Sequence, residues 1–136
     1  MIFCALALLL TLGICPRAAD AQNIDGNVKS FIVLGNTTAV PVITGNHWVT
    51  SVEVFNISTG IVWLKLYDAV TQTCGVGTPV ARYMIPGNTN GAGGIANYTV
   101  QDKYLNGIIA CVTGGIADAD TTAPAATTYV WNVHWR

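Results

Sequence analysis

A chain of 136 residues has room for one domain around one core and none for a second. Apolar residues make up 51% of it and charged residues 10%, against roughly 25% charged in an average soluble domain, so uncharged polar residues must cover most of the outside. A formal charge of −1, with six scattered Lys and Arg, leaves no basic stripe to displace counterions and excludes nucleic acid as a direct partner.

Ile2 to Ile14 is an almost unbroken apolar run that ends at Pro16. Ala19-Asp20-Ala21 then offers the small-x-small pattern of signal-peptidase sites, ahead of Gln22. The run falls short of the ~20 apolar residues of a transmembrane helix. The expected division is therefore a leader over 1–21, cleaved after Ala21, and a folded domain over 22–136, with membrane contact only through a retained leader. No Lys or Arg precedes the run, which departs from the usual signal pattern. An uncleaved apolar helix and a start assigned too far upstream are the rival readings. Cys15 follows Ile14 where a lipoprotein signal needs a small residue, so a lipid anchor is discounted.

Beyond the leader only Cys74 and Cys111 remain. In an oxidising compartment they would close a loop of about 37 residues, worth about 3–4 kcal/mol through loop-closure entropy. The alternative is two thiols, with Cys111 buried as a small hydrophobe.

The rest of the chain reads as short strands punctuated by turn residues. Lys29 to Leu34 predicts the first, stopped by Gly35-Asn36. Ala39 to Ile43 predicts an edge strand, because Pro41 cannot donate to a ladder. In His47 to Asn56, Trp48, Thr50, Val52 and Val54 are expected on one face, with Val49, Ser51, Glu53 and Phe55 on the other. Ser58-Thr59-Gly60 turns the chain into Ile61 to Asp68, the expected antiparallel partner. A loop carrying Cys74 leads to a strand over Pro79 to Ile85. Asn88 to Gly94 predicts a flexible loop, and Ile95 to Val100 and Gly107 to Thr113 predict two further strands. Gly114 to Thr128 is a long connection, and Tyr129 to Trp135 alternates again, with Tyr129, Trp131, Val133 and Trp135 on one side. No stretch after the leader carries a helical period. The expected fold is all-β: a single antiparallel β-sandwich of about eight strands, jelly-roll-like.

Chemistry is sparse. His47 and His134 are the natural general bases, yet each sits beside a Trp in an alternating strand and reads as a half-exposed strand residue. No nucleophile elbow, zinc helix or phosphate loop is present, and the Cys and His are not clustered for zinc. The expectation is no enzyme, no catalytic residues and no cofactor. Asp118 and Asp120, followed by Thr121-Thr122, are a weak calcium candidate, weighed against an ordinary Asx turn. Trp48, Trp63, Trp131 and Trp135, with Tyr67 and Tyr129, would suit a sugar platform if two or more shared an exposed face; otherwise they are core.

Two segments carry a resemblance. Val52-Glu53-Val54-Phe55-Asn56 leads to Val62-Trp63-Leu64-Lys65-Leu66-Tyr67-Asp68, then Gly77-Thr78-Pro79-Val80 and Ile85-Pro86. Later, Gly107-Ile108-Ile109-Ala110 leads to Thr113 and the run Gly114-Gly115-Ile116-Ala117-Asp118-Ala119-Asp120-Thr121-Thr122. This order resembles a family of small tailed-bacteriophage and prophage structural proteins, over about Val52 to Val133. The resemblance implies a virion β-sandwich, foremost a capsid decoration or cement protein on the major capsid lattice, with a tail or fibre accessory next. It also implies a homo-oligomer, a trimer being one form. Partner contacts are expected in two loops, at Asn88, Asn90, Gly91, Gly93 and Gly94 and at Asp118, Asp120, Thr121 and Thr122. The leader and the cysteine pair depart from that pattern, since virions assemble in a reducing cytoplasm. An exported bacterial sandwich, secreted or periplasmic and binding carbohydrate or another surface, is the alternative.

Overall fold

The computed structural model describes residues 27–34, 38–57, 59–88, 94–124 and 128–136. The expected leader over 1–21 lies outside them, as do Asn90, Gly91 and Gly93 of the first expected contact loop. The strands are β1 (Asn27–Leu34), β2 (Val40–Thr44), β3 (His47–Asn56), β4 (Val62–Asp68), β5 (Ala81–Ile85), β6 (Gly94–Tyr104), β7 (Gly107–Thr113) and β8 (Thr128–Trp135). No described residue is helical.

All pairings are antiparallel and fall into two sheets, β1-β8-β3-β6 and β2-β7-β4-β5. The pairs β1·β8, β2·β7, β3·β6 and β4·β5 nest inside one another. The chain is thus one long hairpin, its tip between β4 and β5, wrapped so that successive pairs alternate between sheets.

Alternation decides which side chains meet between the sheets. In β8, Tyr129, Trp131, Val133 and Trp135 are buried, while Val130, Asn132 and His134 are half-buried on the outer side. They pack with Val52 and Val54 of β3, Leu64 and Leu66 of β4, and Ile108, Ala110 and Val112 of β7. Truncating such a side chain to Ala removes about 2–5 kcal/mol.

β3 departs from strict alternation. Its register against both neighbours slips between Val49 and Ser51, a bulge at Thr50. Val49 is consequently buried with Val52 and Val54, whereas Trp48 is exposed on the side of Ser51, Glu53 and Phe55. The expected grouping of Trp48 with Val52 fails because one extra residue reverses the phase of everything before it.

β6 runs to Tyr104, four residues beyond the expected end at Val100. The polar run Gln101-Asp102-Lys103 hides the alternation, because Asp102 turns inward to accept a hydrogen bond from the Tyr83 hydroxyl at 2.6 Å. That bond joins β5 to β6, the adjoining edges of the two sheets. The Tyr98 hydroxyl donates to the Met84 carbonyl at 2.6 Å, and the Tyr83 and Tyr98 rings lie 5.1 Å apart, so this side of the sandwich is laced shut.

At the turn into β7, Asp68 Oδ1 accepts from the backbone N–H of Leu105, Asn106 and Gly107 at 3.0, 2.7 and 3.3 Å. Burial alone would raise the Asp68 carboxyl; the three N–H groups, that of Asn106 foremost, outweigh it and hold the pKa below the usual value. Gly107 has φ +153°, and a Cβ there would lie 2.9 Å from the carbonyl oxygens of Ala69 and Ile43, so the close approach requires glycine.

Candidate docking surface

Both expected contact loops leave the β2-β7-β4-β5 sheet at one end, because Ile85 lies opposite Val62 and Thr113 opposite Trp63. The β3–β4 turn gathers there too. Asn56 Nδ2 donates to the Gly60 carbonyl at 2.8 Å, and Asn88 Nδ2 donates to the Ile57 carbonyl at 3.3 Å. Gly94, expected in the loop, is instead the buried first residue of β6; a Cβ on it would collide with the Pro86 carbonyl.

After Thr113 the chain does not project into solvent. It folds back over the outer face of its own sheet. Gly114 N–H donates to the Thr122 carbonyl at 2.8 Å, closing the loop at its base, and Asp120 N–H donates to the Ala117 carbonyl at 2.9 Å. The Thr113 hydroxyl donates to the Gly115 carbonyl at 2.9 Å. Asp120 accepts from the N–H groups of Gly115 and Thr122, the latter at 3.0 Å, as an Asx-turn residue does.

Beneath the loop lies a row of three residues, Arg82, Lys65 and Cys111, set side by side by the β5–β4–β7 register. Arg82 forms an ion pair with Asp118, its Nε donating at 2.6 Å. Lys65 is fully buried, and its Nζ donates to the Ala117 carbonyl at 2.5 Å. Desolvation lowers the Lys65 pKa, partly offset by the charges of Asp120 and Asp118. The Thr122 hydroxyl first, then its N–H, the Gly115 N–H and the Lys65 charge, hold the Asp120 carboxyl below its usual range against a smaller effect of burial. Two cations thus meet two carboxylates, and the cluster is neutral.

Cys111 completes the row through a disulfide to Cys74, S–S 2.09 Å, spanning 37 positions. This pins the loop before β5 against β7. At Gly75, φ +81°, a Cβ would collide with the Thr121 methyl and lie 3.2 Å from the Ala119 carbonyl oxygen, so the two loops lean on each other. Together they form a plateau over the sheet. What it presents to solvent is largely apolar or hydroxylic, Ile116 at 53% exposure and Val76 at 60% with Ala117, Ala119, Thr121 and Thr122, beside the partly exposed Arg82–Asp118 pair.

Asp118 and Asp120, the calcium candidate, therefore turn to different partners, a guanidinium and backbone N–H groups. No group of three or more His, Cys, Asp or Glu able to hold a metal occurs among the described residues. His47 Nε2 lies 3.0 Å from the Thr44 carbonyl oxygen, and His134 Nε2 lies 3.6 Å from Glu53 Oε2 on another strand. Trp131, Trp135, Tyr67 and Tyr129 are core; Trp48 is exposed, with Lys103 Nζ 5.7 Å from its ring centroid. Those aromatics do not share an exposed face. Sequence reasoning missed Lys65 and Arg82. The only signal was a lysine inside the apolar run Val62 to Tyr67, where it would be expected to face water. No protein-family model matches this chain, and no curated protein matches it.

Proposed function

We propose that this chain is a non-enzymatic virion subunit, a jelly-roll decoration or cement protein that docks on the major capsid lattice through the plateau on the outer face of its β2-β7-β4-β5 sheet. Support for the jelly roll is the strand order. Nested pairs β1·β8, β2·β7, β3·β6 and β4·β5 distributed over two four-stranded sheets are the wrapped-hairpin arrangement of that fold, which recurs in capsid and lectin domains.

The observation that carries docking is the neutral plateau. Charged groups are depleted from the centres of protein interfaces, because each must be desolvated. Here Arg82 is paired with Asp118, Lys65 is buried against the Ala117 carbonyl and Asp120 is held by backbone N–H groups, beside the exposed Ile116, Val76 and small residues. The surface is also held in shape beforehand, which lowers the ordering cost of binding. Ile57 and Ile61, about half exposed at the same end, extend it. A homo-oligomer presenting several plateaus would gain from avidity on a repeating lattice.

Ile116→Asp places a charge on the exposed surface of the plateau without touching the core. It is expected to lower occupancy on capsids at least about tenfold in a co-sedimentation assay, with an unchanged thermal midpoint. Undiminished occupancy refutes the plateau as the contact.

A second reading, an exported surface-binding sandwich, is favoured by the Cys74–Cys111 disulfide, since such bonds persist in oxidising compartments. Intact mass separates the two. A mature chain beginning at Gln22 in the periplasm or medium supports export, and a longer chain recovered on particles supports the virion.

A further inference from the structure

The opposite face of the sandwich, the outer side of β1-β8-β3-β6, carries a second feature. Beyond the bulge at Thr50 the alternation of β3 is unbroken, and Ser51, Glu53 and Phe55 all point outward. Register sets Glu53 between Asn97 of β6 and Asn132 of β8, and one rung along sets Phe55 between Ile95 and Val130. A furrow of about 260 Å³ runs across these rungs.

Its two rungs differ in chemistry. The first is apolar and faces water, with Phe55 on the inner strand β3 at 38% exposure and Ile95 on the edge strand β6 at 70%. The second is a carboxylate flanked by two amides. Asn132 Nδ2 donates to Glu53 Oε2 at 3.1 Å, which orients the carboxylate from one side, while Asn97 is exposed on the other. Neighbouring strands are ~4.8 Å apart, so the polar side chains reach across ~10 Å.

We infer that this furrow binds a neutral pyranose ring of a surface glycan. Phe55 takes the C–H face of the sugar, and Glu53, Asn97 and Asn132 take its hydroxyls. A carboxylate accepts from two neighbouring hydroxyls and an amide both donates and accepts, which is the hydrogen-bonding pattern a hydroxylated rim presents. The furrow is slightly smaller than the ~300–1,000 Å³ pockets of drug-sized ligands, which suits one ring with the rest of a chain continuing in solvent. The Glu53 charge disfavours uronates and phosphates. Glycoside hydrolysis takes a pair of carboxylates, and among the described residues this face carries only Glu53, so the furrow holds a sugar without cleaving it. The inference names a ligand class and a site that the surface-binding alternative leaves open, and it does not depend on capsid docking, because the plateau lies on the other sheet.

The full-length chain, labelled with ¹⁵N, is titrated with a panel of neutral disaccharides (maltose, cellobiose, lactose, chitobiose and mannobiose), with glucuronate as the charged control. At least one member is expected to shift the amides around Glu53, Phe55, Asn97 and Asn132, and glucuronate to bind more weakly. Phe55→Ala and Glu53→Gln are each expected to weaken binding about tenfold or more. Asn97→Ala, at an exposed position, is the variant to use should Phe55→Ala unfold. Ile116→Asp is expected to leave sugar binding intact, so failure here and failure of capsid docking are separable. A panel that shifts none of these residues, or affinity that survives both Phe55→Ala and Glu53→Gln, overturns the assignment.

Discussion

Three tyrosines, Tyr83, Tyr104 and Tyr129, are buried between the sheets, and their hydroxyls differ in how they are satisfied. That of Tyr83 donates to Asp102, whereas those of Tyr104 and Tyr129 have no hydrogen-bond partner among the described residues. A polar group buried alone costs desolvation without return, and one bonded to a charge contributes about 1.5–3 kcal/mol. Tyr83→Phe should therefore destabilise by about 2 kcal/mol, and Tyr104→Phe should be neutral or stabilising by up to about 1 kcal/mol, as read from urea unfolding. Burial raises the pKa of all three, Tyr129 to about 12 and the others higher. Above pH ~10 the unfolded chain releases phenolic protons that the folded chain keeps, so the unfolded state binds fewer protons and stability falls with rising pH. These three groups by themselves predict a loss of roughly 3 kcal/mol between pH 10 and 11, to which Tyr67 and Tyr98, also raised by burial, add in the same direction. Flat stability over that interval would mean that the hydroxyls are wet.

Among the elements, β7 is the most constrained: it lies between β2 and β4, every residue of it is buried, and Cys111 ties it to the Cys74 loop. Reducing that bond frees a loop spanning 37 positions in the unfolded chain. Urea unfolding with and without dithiothreitol should differ by about 3–4 kcal/mol, and a difference below about 1 kcal/mol would assign the bridge no thermodynamic role. How far such elements were legible in the sequence depended on how regular they are. β8 could be read residue by residue, because Tyr129 to Trp135 alternates without a break. β3 could not, since nothing in His47 to Asn56 marks Thr50 as the extra residue, and the phase of Trp48 and Val49 was reversed in consequence. The end of β6 was hidden for another reason. Asp102 is stable facing inward only because Tyr83 meets it from the other sheet, a contact between distant positions.

At the scale of the whole molecule, the sandwich has two differently equipped outer faces, one roofed by the plateau and the other open along the Glu53–Phe55 furrow. The loop after β7 was singled out in the sequence, but the residues it covers were not, and neither was the furrow. Lys65 and Arg82 become neighbours of Asp118 and Asp120 only when the loop after β7 turns back over its sheet. Glu53, Asn97 and Asn132 share a row only through the register of three strands. Composition did anticipate the character of the surface: with 10% charged residues, a chain of this size has few charges for its exterior, fewer still once Lys65 is buried and Arg82 is paired with Asp118. The role of that plateau is tested most directly by electron cryomicroscopy of particles carrying the protein. Density for the sandwich is expected on the capsid, with the Gly114–Thr122 loop and Ile116 against the lattice. Particles without it, or a sandwich seated with that loop facing solvent, would rule out docking through the plateau.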